Sequence, residues 1–131
     1  MGDGIVEAIS TDGAPAAVGP YSQAVRAGGL LFVSGQIPLD PAGGETVKGG
    51  LGEQAERALE NLKRVVEAAG ATLAQVVKVT LFITDMSRFG EVNEVYARYF
   101  KGDVLPARAC VEVSALPKGV DVEVEAVVVY E

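Results

Sequence analysis

Histidine and tryptophan are both missing from this chain, and cysteine occurs once, at Cys110. Histidine is the side chain whose charge switches most readily near neutral pH. Its absence excludes Ser-His-Asp triads, Cys-His dyads and histidine-based metal sites. One cysteine with scattered carboxylates does not make a zinc or iron site either. Any catalysis therefore has to use carboxylates, arginine, lysine, tyrosine, the thiol, backbone groups or water, and we expect neither a metal nor a cofactor.

Targeting and membrane-spanning segments are also missing. Residues 1–6 contain no basic region and no long apolar run, so they do not resemble a secretory signal. No stretch approaches the ~20 apolar residues of a membrane helix. A lone thiol forms no internal disulfide, which fits a reducing compartment. We therefore expect a cytoplasmic protein with no membrane partner.

Basic residues are scarce relative to acidic ones. Eleven Lys and Arg stand against eighteen Asp and Glu, which gives a net charge of -7. Such a surface repels phosphate backbones, and no run of Lys or Arg marks a basic groove, so nucleic acid is a disfavoured partner. The 131 residues are 49% hydrophobic and 22% charged, an ordinary globular balance. We expect one domain that spans residues 1–131.

Hydrophobic periodicity predicts the element order β-β-β-α-β-α-β-β. This order indicates an α/β sandwich, a mixed β-sheet with two helices packed on one face. Helices are predicted at residues 51–69, where Gly70 ends the helix, and at 87–100, where Ser87 is the predicted N-cap. Strands are predicted at residues 5–9, 21–27, 30–37, 76–85, 108–113 and 122–130. In the fourth strand, alternation places four side chains on one face: Val77, Val79, Leu81 and Ile83.

The last predicted strand lacks the alternation of a half-solvated strand. Residues 126–130, AVVVY, are apolar on both sides, as occurs where both faces of a sheet are covered. Two helices cover one face, and the chain has no further element for the other. We therefore expect another subunit to cover it. A strand that is merely rich in valine is the alternative.

A nucleotide-binding pattern is present only in outline. Residues 50–55, GLGEQA, match G-x-G-x-x-A at the start of the first predicted helix. No strand directly precedes this segment, and Glu53 places negative charge where a phosphate would lie. The glycines are therefore interpreted as helix-entry residues.

A Pro-Ala-Arg-Ala-Cys-Val motif places a charge and a thiol in one strand. Alternation puts Arg108 and Cys110 on the face opposite Ala109, and it puts Glu123 and Glu125 opposite the valines of the final strand. A surface ion pair between neighbouring strands is the simpler interpretation, and such a pair is typically worth under ~1 kcal/mol. A functional site is the other interpretation, and the pattern alone leaves both open.

Three further polar side chains have two interpretations each. Tyr21 follows a Gly-Pro pair, is expected to begin a strand, and is either a half-buried aromatic with a satisfied hydroxyl or a site residue. Asn93 lies beside the apolar stripe of the second helix and makes either a packing hydrogen bond or a ligand contact. Cys110 could act as a nucleophile, but only Arg108 is at hand to lower its pKa. A small buried hydrophobe is the preferred interpretation of the thiol.

Taken together, these segments resemble the RidA (YjgF-type) reactive intermediate deaminase family. The motifs that carry the resemblance occur in order at residues 19–24 (GPYSQA), 34–38 (SGQIP), 61–62 (NL), 92–93 (VN), 106–111 (PARACV) and 122–126 (VEVEA). The match covers about residues 5–131. It implies a chorismate-mutase-like fold and a homotrimer whose sheets form a central β-barrel, with active sites in the clefts between subunits. That assembly agrees with a sheet covered on both faces.

The resemblance also implies an activity and the residues that perform it. The activity is hydrolysis of 2-iminobutanoate and 2-iminopropanoate, reactive products of pyridoxal-phosphate-dependent dehydratases, to 2-oxo acids and ammonium. Arg108 matches the family's carboxylate-binding arginine. Ala109 stands where the family often has Ser or Thr, on the face away from Arg108. The other pocket positions of the family are matched by Tyr21, Ser34, Gly35, Asn93, Cys110 and Glu123.

Such a site would need neither a metal nor a covalent nucleophile. A planar guanidinium binds a carboxylate through two parallel hydrogen bonds, and a protonated imine is already electrophilic. Glu123 is the expected partner of the attacking water, so positioning and proton transfer supply the catalysis. Two rival functions remain. One is a ligand-sensing or chaperone-like module without turnover, and the other is an endoribonuclease or translation inhibitor, against which the missing histidine and the acidic charge argue.

Overall fold

The computed structural model describes residues 6–130 and contains the predicted order of elements. Ile5 of the first predicted strand and Glu131 at the end of the family resemblance lie outside the described residues. The helices are α1 (Leu51–Ala68) and α2 (Phe89–Tyr99). The strands are β1 (Val6–Ile9), β2 (Ala24–Ala27), β3 (Leu30–Gln36), β4 (Val76–Ile83), β5 (Ala107–Glu112) and β6 (Val122–Val129). Short 3-10 turns lie at Leu73–Gln75, Met86–Arg88 and Pro117–Gly119.

The six strands form one mixed sheet in the order β1-β2-β3-β6-β4-β5. Neighbouring strands are antiparallel except β4 and β5, which run parallel because α2 forms the crossover between them. The last strand, β6, enters between β3 and β4. This topology puts β3 and β6 side by side in the middle of the sheet and leaves β5 at an edge, where its side chains meet α2.

Both helices pack on one face of the sheet, as predicted. Helix α1 is amphipathic, and its buried apolar residues recur at helical spacing: Leu51, Ala55, Ala58, Leu59, Leu62, Val65 and Val66. At its start the Gly50 N–H donates to the Glu53 carboxylate at 2.9 Å, and past its end Gly70 takes a φ of 88°, which suits a helix stop. Within residues 6–130, no helix combines the length and apolarity that a membrane crossing requires.

The opposite side of the sheet, here called the open face, carries large apolar side chains that residues 6–130 leave exposed. They come from β3, β5 and β6 and have about two-fifths of their surface in solvent: Leu30 38%, Phe32 45%, Val111 41% and Val129 42%. The other face shows the opposite, since Val79, Val124 and Val128 are each fully buried. An apolar patch of this kind marks an interaction surface. The exposure agrees with the prediction that the last strand needs a cover on both sides.

Most predicted boundaries differ from the observed ones by one or two residues, as expected of frayed element ends. The exception is the second strand, and the prediction that Tyr21 begins it is wrong. Strand β2 starts at Ala24, and the Tyr21 N–H donates to the Gly19 carbonyl at 2.9 Å in a tight turn. Tyr21 therefore lies in a loop and is 54% exposed.

Two other local predictions are wrong for equally physical reasons. Ser87 does not cap α2, because Asp85 caps the preceding 3-10 turn by accepting hydrogen bonds from the N–H and the hydroxyl of Ser87 at 3.0 Å and 2.6 Å. Val77 does not share the buried face of β4, since the register with β6 shifts between Val76 and Lys78. The bulge turns Val77 outward, and it is 42% exposed.

Candidate functional site

The predicted site residues separate into two groups on opposite faces of the sheet. Arg108 of β5 pairs with Val79, and Glu123 of β6 pairs with Phe82, so both are registered against β4. Directly paired residues share a face, and Val79 and Phe82 are an odd number of residues apart, so they point to opposite faces. Arg108 therefore lies on the helix side of the sheet, and Glu123 lies on the open face.

This arrangement makes one interpretation of the sequence wrong, namely an ion pair between neighbouring strands. Strand β4 separates the strands of Arg108 and Glu123, and the two side chains are on different faces. Among residues 6–130, the carboxylates that do form ion pairs bind Arg26, Arg64 and Arg88, and none lies within 4.0 Å of the Arg108 guanidinium.

Arg108 is held by side chains of α2. Its Nη1 donates to Oδ1 of Asn93 at 2.6 Å, and its guanidinium carbon lies 4.8 Å from the ring centre of Tyr96 and 5.1 Å from that of Phe89. Phe89, Asn93 and Tyr96 are spaced by four and three residues, so they project from one side of the helix. One hydrogen bond and two rings thus fix the guanidinium, whose other N–H groups have no acceptor among residues 6–130.

Cys110 lies next to Arg108 on the same side of β5 and is partly buried. Burial raises the pKa of its thiol, and the charge of Arg108 offsets this only in part. A thiol with a raised pKa is protonated near neutral pH and is a weak nucleophile. The environment therefore agrees with the interpretation of Cys110 as a small packing residue.

Glu123 lies in a cleft of about 550 Å³ between the loop that precedes β2 and the bulged end of β3. Tyr21, Ser34 and Gly35, three of the residues predicted for the site, line the same cleft. The volume is within the range of small-molecule sites. This group is called the Glu123 cleft below, and the group of Arg108, Asn93, Cys110, Phe89 and Tyr96 is called the Arg108 group.

The absence of a side chain at Gly35 lets the Glu123 carboxylate lie against the backbone of β3. A Cβ at Gly35 would lie 2.8 Å from Cδ of Glu123 and would overlap one of its carboxylate oxygens. The register of β3 against β6 shifts at this point, and the Ser34 hydroxyl donates to the Ser22 carbonyl at 2.6 Å. Bulge, glycine and serine together shape the wall beside the carboxylate.

The electrostatics of the Glu123 cleft favour a basic carboxylate. Burial raises the pKa of Glu123, and the like charge of Glu125, two residues further along the same face, raises it again. Both side chains line the cleft. A carboxylate with a raised pKa is a stronger base than an ordinary glutamate, which suits proton transfer with water.

Several residues of the two groups are missing from the sequence prediction. Phe89 and Tyr96 belong to the apolar stripe of the second helix, and their spacing from Asn93 is the signal that indicates a shared face. Lys118, which lines the Glu123 cleft, has a φ of 59° in the left-handed region, and no sequence signal predicts that geometry. Gln23 also lines the cleft. Among residues 6–130, no cluster of three or more potential metal ligands occurs.

Comparisons by sequence and by structure both find similar proteins that match nearly the whole chain. The profile of the family described as Endoribonuclease L-PSP matches residues 11–130. The chain is 51% identical to the mouse (Mus musculus) protein named 2-iminobutanoate/2-iminopropanoate deaminase, with 95% of this chain and 92% of the relative covered. It is 53% identical to a RutC family protein of Pyrococcus horikoshii, with 95% and 98% covered. The crystal structure of E. coli TdcF with bound serine superposes with a TM-score of 0.90 at 43% identity, and it covers 95% of this chain and 99% of that chain.

Proposed function

Because the chain belongs to the Endoribonuclease L-PSP (YjgF/RidA) family, we propose that it is a 2-imino acid deaminase. Its reaction is the hydrolysis of 2-iminobutanoate and 2-iminopropanoate to 2-oxo acids and ammonium. The observation that carries the proposal is Arg108, a guanidinium oriented by Asn93 and two aromatic rings, with no carboxylate of residues 6–130 against it. A substrate carboxylate fits such a group through two parallel hydrogen bonds.

We further propose that two copies of the chain complete each site. Arg108 and the Glu123 cleft lie on opposite faces of the sheet, so a single chain does not bring them to one substrate. A cyclic homotrimer with a chorismate-mutase-like arrangement would bury the open faces in a central β-barrel. The Glu123 cleft of one copy would then meet the Arg108 group of the next. The exposure of Phe32, Val111 and Val129 supports this assembly.

In the proposed reaction, Arg108 binds the carboxylate and holds the plane of the imine. A water molecule attacks the C=N carbon, Glu123 takes a proton from that water, and a carbinolamine forms. Glu123 returns the proton to the nitrogen and then takes the hydroxyl proton as the C–N bond breaks. Ammonia leaves and receives that proton, so the products are a 2-oxo acid and ammonium. Tyr21, Ser34 and Gly35 form the cleft wall around the substrate, and Asn93 and Cys110 support Arg108.

The bound serine of TdcF is consistent with this substrate class, since serine has the carboxylate and nitrogen of an amino acid on one carbon. We propose that the chain uses no cofactor, because all the proton transfers can run through Glu123 and water. We also propose the cytoplasm as its location, because its single cysteine fits a reducing compartment.

The direct test supplies freshly formed imine. A threonine dehydratase generates 2-iminobutanoate, and the appearance of 2-oxobutanoate is followed with and without the protein. We expect the protein to accelerate the step above the spontaneous rate. Substrate binding without acceleration would favour the sensing or chaperone-like module. Cleavage of RNA that survives Arg108→Ala, in nuclease-free protein, would revive the endoribonuclease.

The shared site has a sharper test in mixed oligomers. Alone, Arg108→Ala is expected to be nearly inactive, and Glu123→Gln is expected to keep only a small fraction of the wild-type kcat. After co-refolding at equal amounts, about a quarter of the interfaces of a cyclic trimer would pair an intact Arg108 with an intact Glu123. Activity should therefore return to about a quarter of the wild-type value. A mixture as inactive as its components would mean that both residues must belong to the same chain.

A further inference from the structure

We propose that Gln23 is a positioning residue of the Glu123 cleft, because its buried amide fixes the loop of residues 11–22 that forms one cleft wall. Gln23 is 4% exposed, is one of the few buried polar side chains of residues 6–130, and takes no part in the proton transfers described above. Its kinetic consequence rests on the proposed function, whereas its effect on the loop does not.

Both the oxygen and the nitrogen of the Gln23 side-chain amide form hydrogen bonds with the backbone of the preceding loop. Its Oε1 accepts a hydrogen bond from the Thr11 N–H at 2.7 Å. Its Nε2 donates to the carbonyls of Pro15 at 2.8 Å and Thr11 at 3.1 Å, and the Ala14 carbonyl is a longer acceptor at 3.4 Å. The Thr11 N–H can only donate and the carbonyls can only accept, so the partners dictate the orientation of the amide. One side chain thus ties together both ends of the turn at residues 11–15.

The loop has little other support within the described part of the chain. No strand of residues 6–130 pairs with residues 11–22. Ala14 is buried in the core at 2% exposure, but further along Val18 is 79% exposed and Tyr21 is 54% exposed. A segment with few buried contacts opens easily. Together with the bond from the Ser34 hydroxyl to the Ser22 carbonyl, the anchors at Ala14 and Gln23 therefore determine where the loop lies.

This loop forms the wall that faces Glu123. Pro15, Ala16, Val18 and Tyr21 all line the cleft, and Glu123 lies across it. On the other side, the Gln23 carbonyl accepts from the Ser34 N–H at 2.9 Å, which joins the residue to the bulge beside Glu123. Because Gln23 contacts both walls, loss of its amide bonds would change the spacing between Tyr21 and the carboxylate.

Two further buried amides hold the remaining wall in the same manner. Nδ2 of Asn61 donates to the carbonyls of Ile37 at 3.1 Å and Leu39 at 3.0 Å, and Nε2 of Gln36 donates to the Ser34 carbonyl at 3.1 Å. Ile37, Leu39, Gln36 and Ser34 line the cleft. Buried amides are costly unless satisfied, so their repeated use on cleft backbone favours a positioning role over simple packing.

The first test replaces the amide with an apolar chain of similar length. Gln23→Met should raise KM about 10-fold with kcat changed less than about 3-fold, because the wall binds substrate but does not transfer protons. Hydrogen exchange of the Thr11 and Tyr21 amides should accelerate at least about 10-fold, because both are hydrogen-bonded within the wild-type loop. The matched control is Val65→Ala, which removes core volume under α1, where Val65 is fully buried. It should lower the melting temperature without changing KM or loop exchange.

A second variant separates the donor from the shape of the side chain. Gln23→Glu keeps the length and the acceptor for Thr11 but sets a carboxylate against the carbonyls of Thr11 and Pro15. Its loop should exchange faster than that of Gln23→Met at pH 8. When each exchange rate is divided by the intrinsic rate at the same pH, the loop should approach the protection of the wild type at low pH, where the carboxylic acid can again donate. This pH-dependent rescue assigns the position of the loop to the amide donor. A parallel change in KM, which a merely structural role would not produce, assigns that position to substrate binding.

The outcomes distinguish the two proposals. If the wild-type protein hydrolyses imines, and KM and loop exchange are unchanged in both Gln23 variants, the positioning role is overturned. An equal rise in KM in Val65→Ala would also overturn it, because general loosening would then suffice. If the wild-type protein shows no turnover, the proposed function fails, and the loop exchange of folded Gln23→Met or Gln23→Glu still decides the role of Gln23. Circular dichroism establishes that each variant is folded.

Discussion

The two faces of the sheet differ in what covers them and in which half of the candidate site they carry. On the helix side, Val79, Leu81 and Val124 are at most 1% exposed under the helices. On the open face, Phe32 and Val129 have about two-fifths of their surface exposed, although they are as apolar as the buried set. The Arg108 group belongs to the first side and the Glu123 cleft to the second.

A single chain forms a complete hydrophobic core on the helix side, but it does not bring the two groups of site residues together. The helix side has its apolar layer and its polar anchors within one chain. Among residues 6–130, the open face has an apolar layer without a cover and a carboxylate, Glu123, that forms no ion pair. Assembly of several copies would cover the open face and would bring a cation to the carboxylate. A substitution that prevents assembly should therefore abolish catalysis as well.

The largest effect is expected from a charge placed on the open face. Phe32→Asp would put an unpaired carboxylate into the proposed barrel in every copy, at a cost of several kcal/mol per site. We expect monomers by light scattering and activity near that of buffer alone. Ala68→Asp, on the exposed end of α1, is the matched control and should keep the assembly. A stable, active trimer of Phe32→Asp would contradict the interface, and a wild-type monomer at micromolar concentration would exclude it.

Loss of Arg108 should have the next largest effect, and without loss of assembly. Arg108→Ala removes a desolvated charge-assisted pair worth on the order of 2–5 kcal/mol, or tens- to thousands-fold in rate. Arg108→Lys should also fail badly, because an ammonium keeps the charge but loses the planar fork that fixes the carboxylate. Steady-state kinetics with circular dichroism provide the measurement.

The two Arg108 variants separate three interpretations. If charge alone matters, lysine should restore most of the activity. If Arg108 only packs on Tyr96 and Phe89, both variants should be nearly silent. Near wild-type rates in Arg108→Ala would end the proposed mechanism.

A smaller effect is expected from the pH dependence of the Glu123 cleft. The base is the carboxylate, and its pKa is raised by burial and by Glu125, so kcat/KM should fall as the pH drops through a value above that of an ordinary glutamate. Glu123→Gln should lower kcat with little change in KM and abolish this acidic limb. Glu125→Gln removes the like charge and should move the limb to lower pH. The spontaneous rate is subtracted at each pH.

An unchanged acidic limb in Glu123→Gln would assign the titration to another group. Equal kcat in wild type and Glu123→Gln would move the proton transfer to solvent.

The sequence predicts the order of strands and helices. It also predicts individual site residues, but not their placement on two opposite faces of the sheet. Period-2 and period-3.6 patterns indicated every strand and helix, because those patterns reflect burial on the helix side. Tyr21 is predicted in a strand but lies in a turn, because that turn depends on a loop anchored by Gln23, whose partners are 8 to 12 residues away. The opposite faces of Arg108 and Glu123 follow from strand order, and the sequence pattern does not specify that β6 enters between β3 and β4.

The smallest effect is expected at Cys110, the one thiol of the chain. Its pKa is raised because burial outweighs the charge of Arg108, so the thiolate is scarce near neutral pH. Cys110→Ser and Cys110→Ala should therefore keep rates within about 10-fold of wild type, since neither removes a nucleophile or a backbone group. Serine should be slightly less stable than alanine, because a half-buried hydroxyl needs a partner. A loss beyond about 100-fold in both folded variants would require chemistry at sulfur. That result would place the reacting atoms at the Arg108 group instead of the Glu123 cleft. The reaction would then not require the two faces of neighbouring copies to meet.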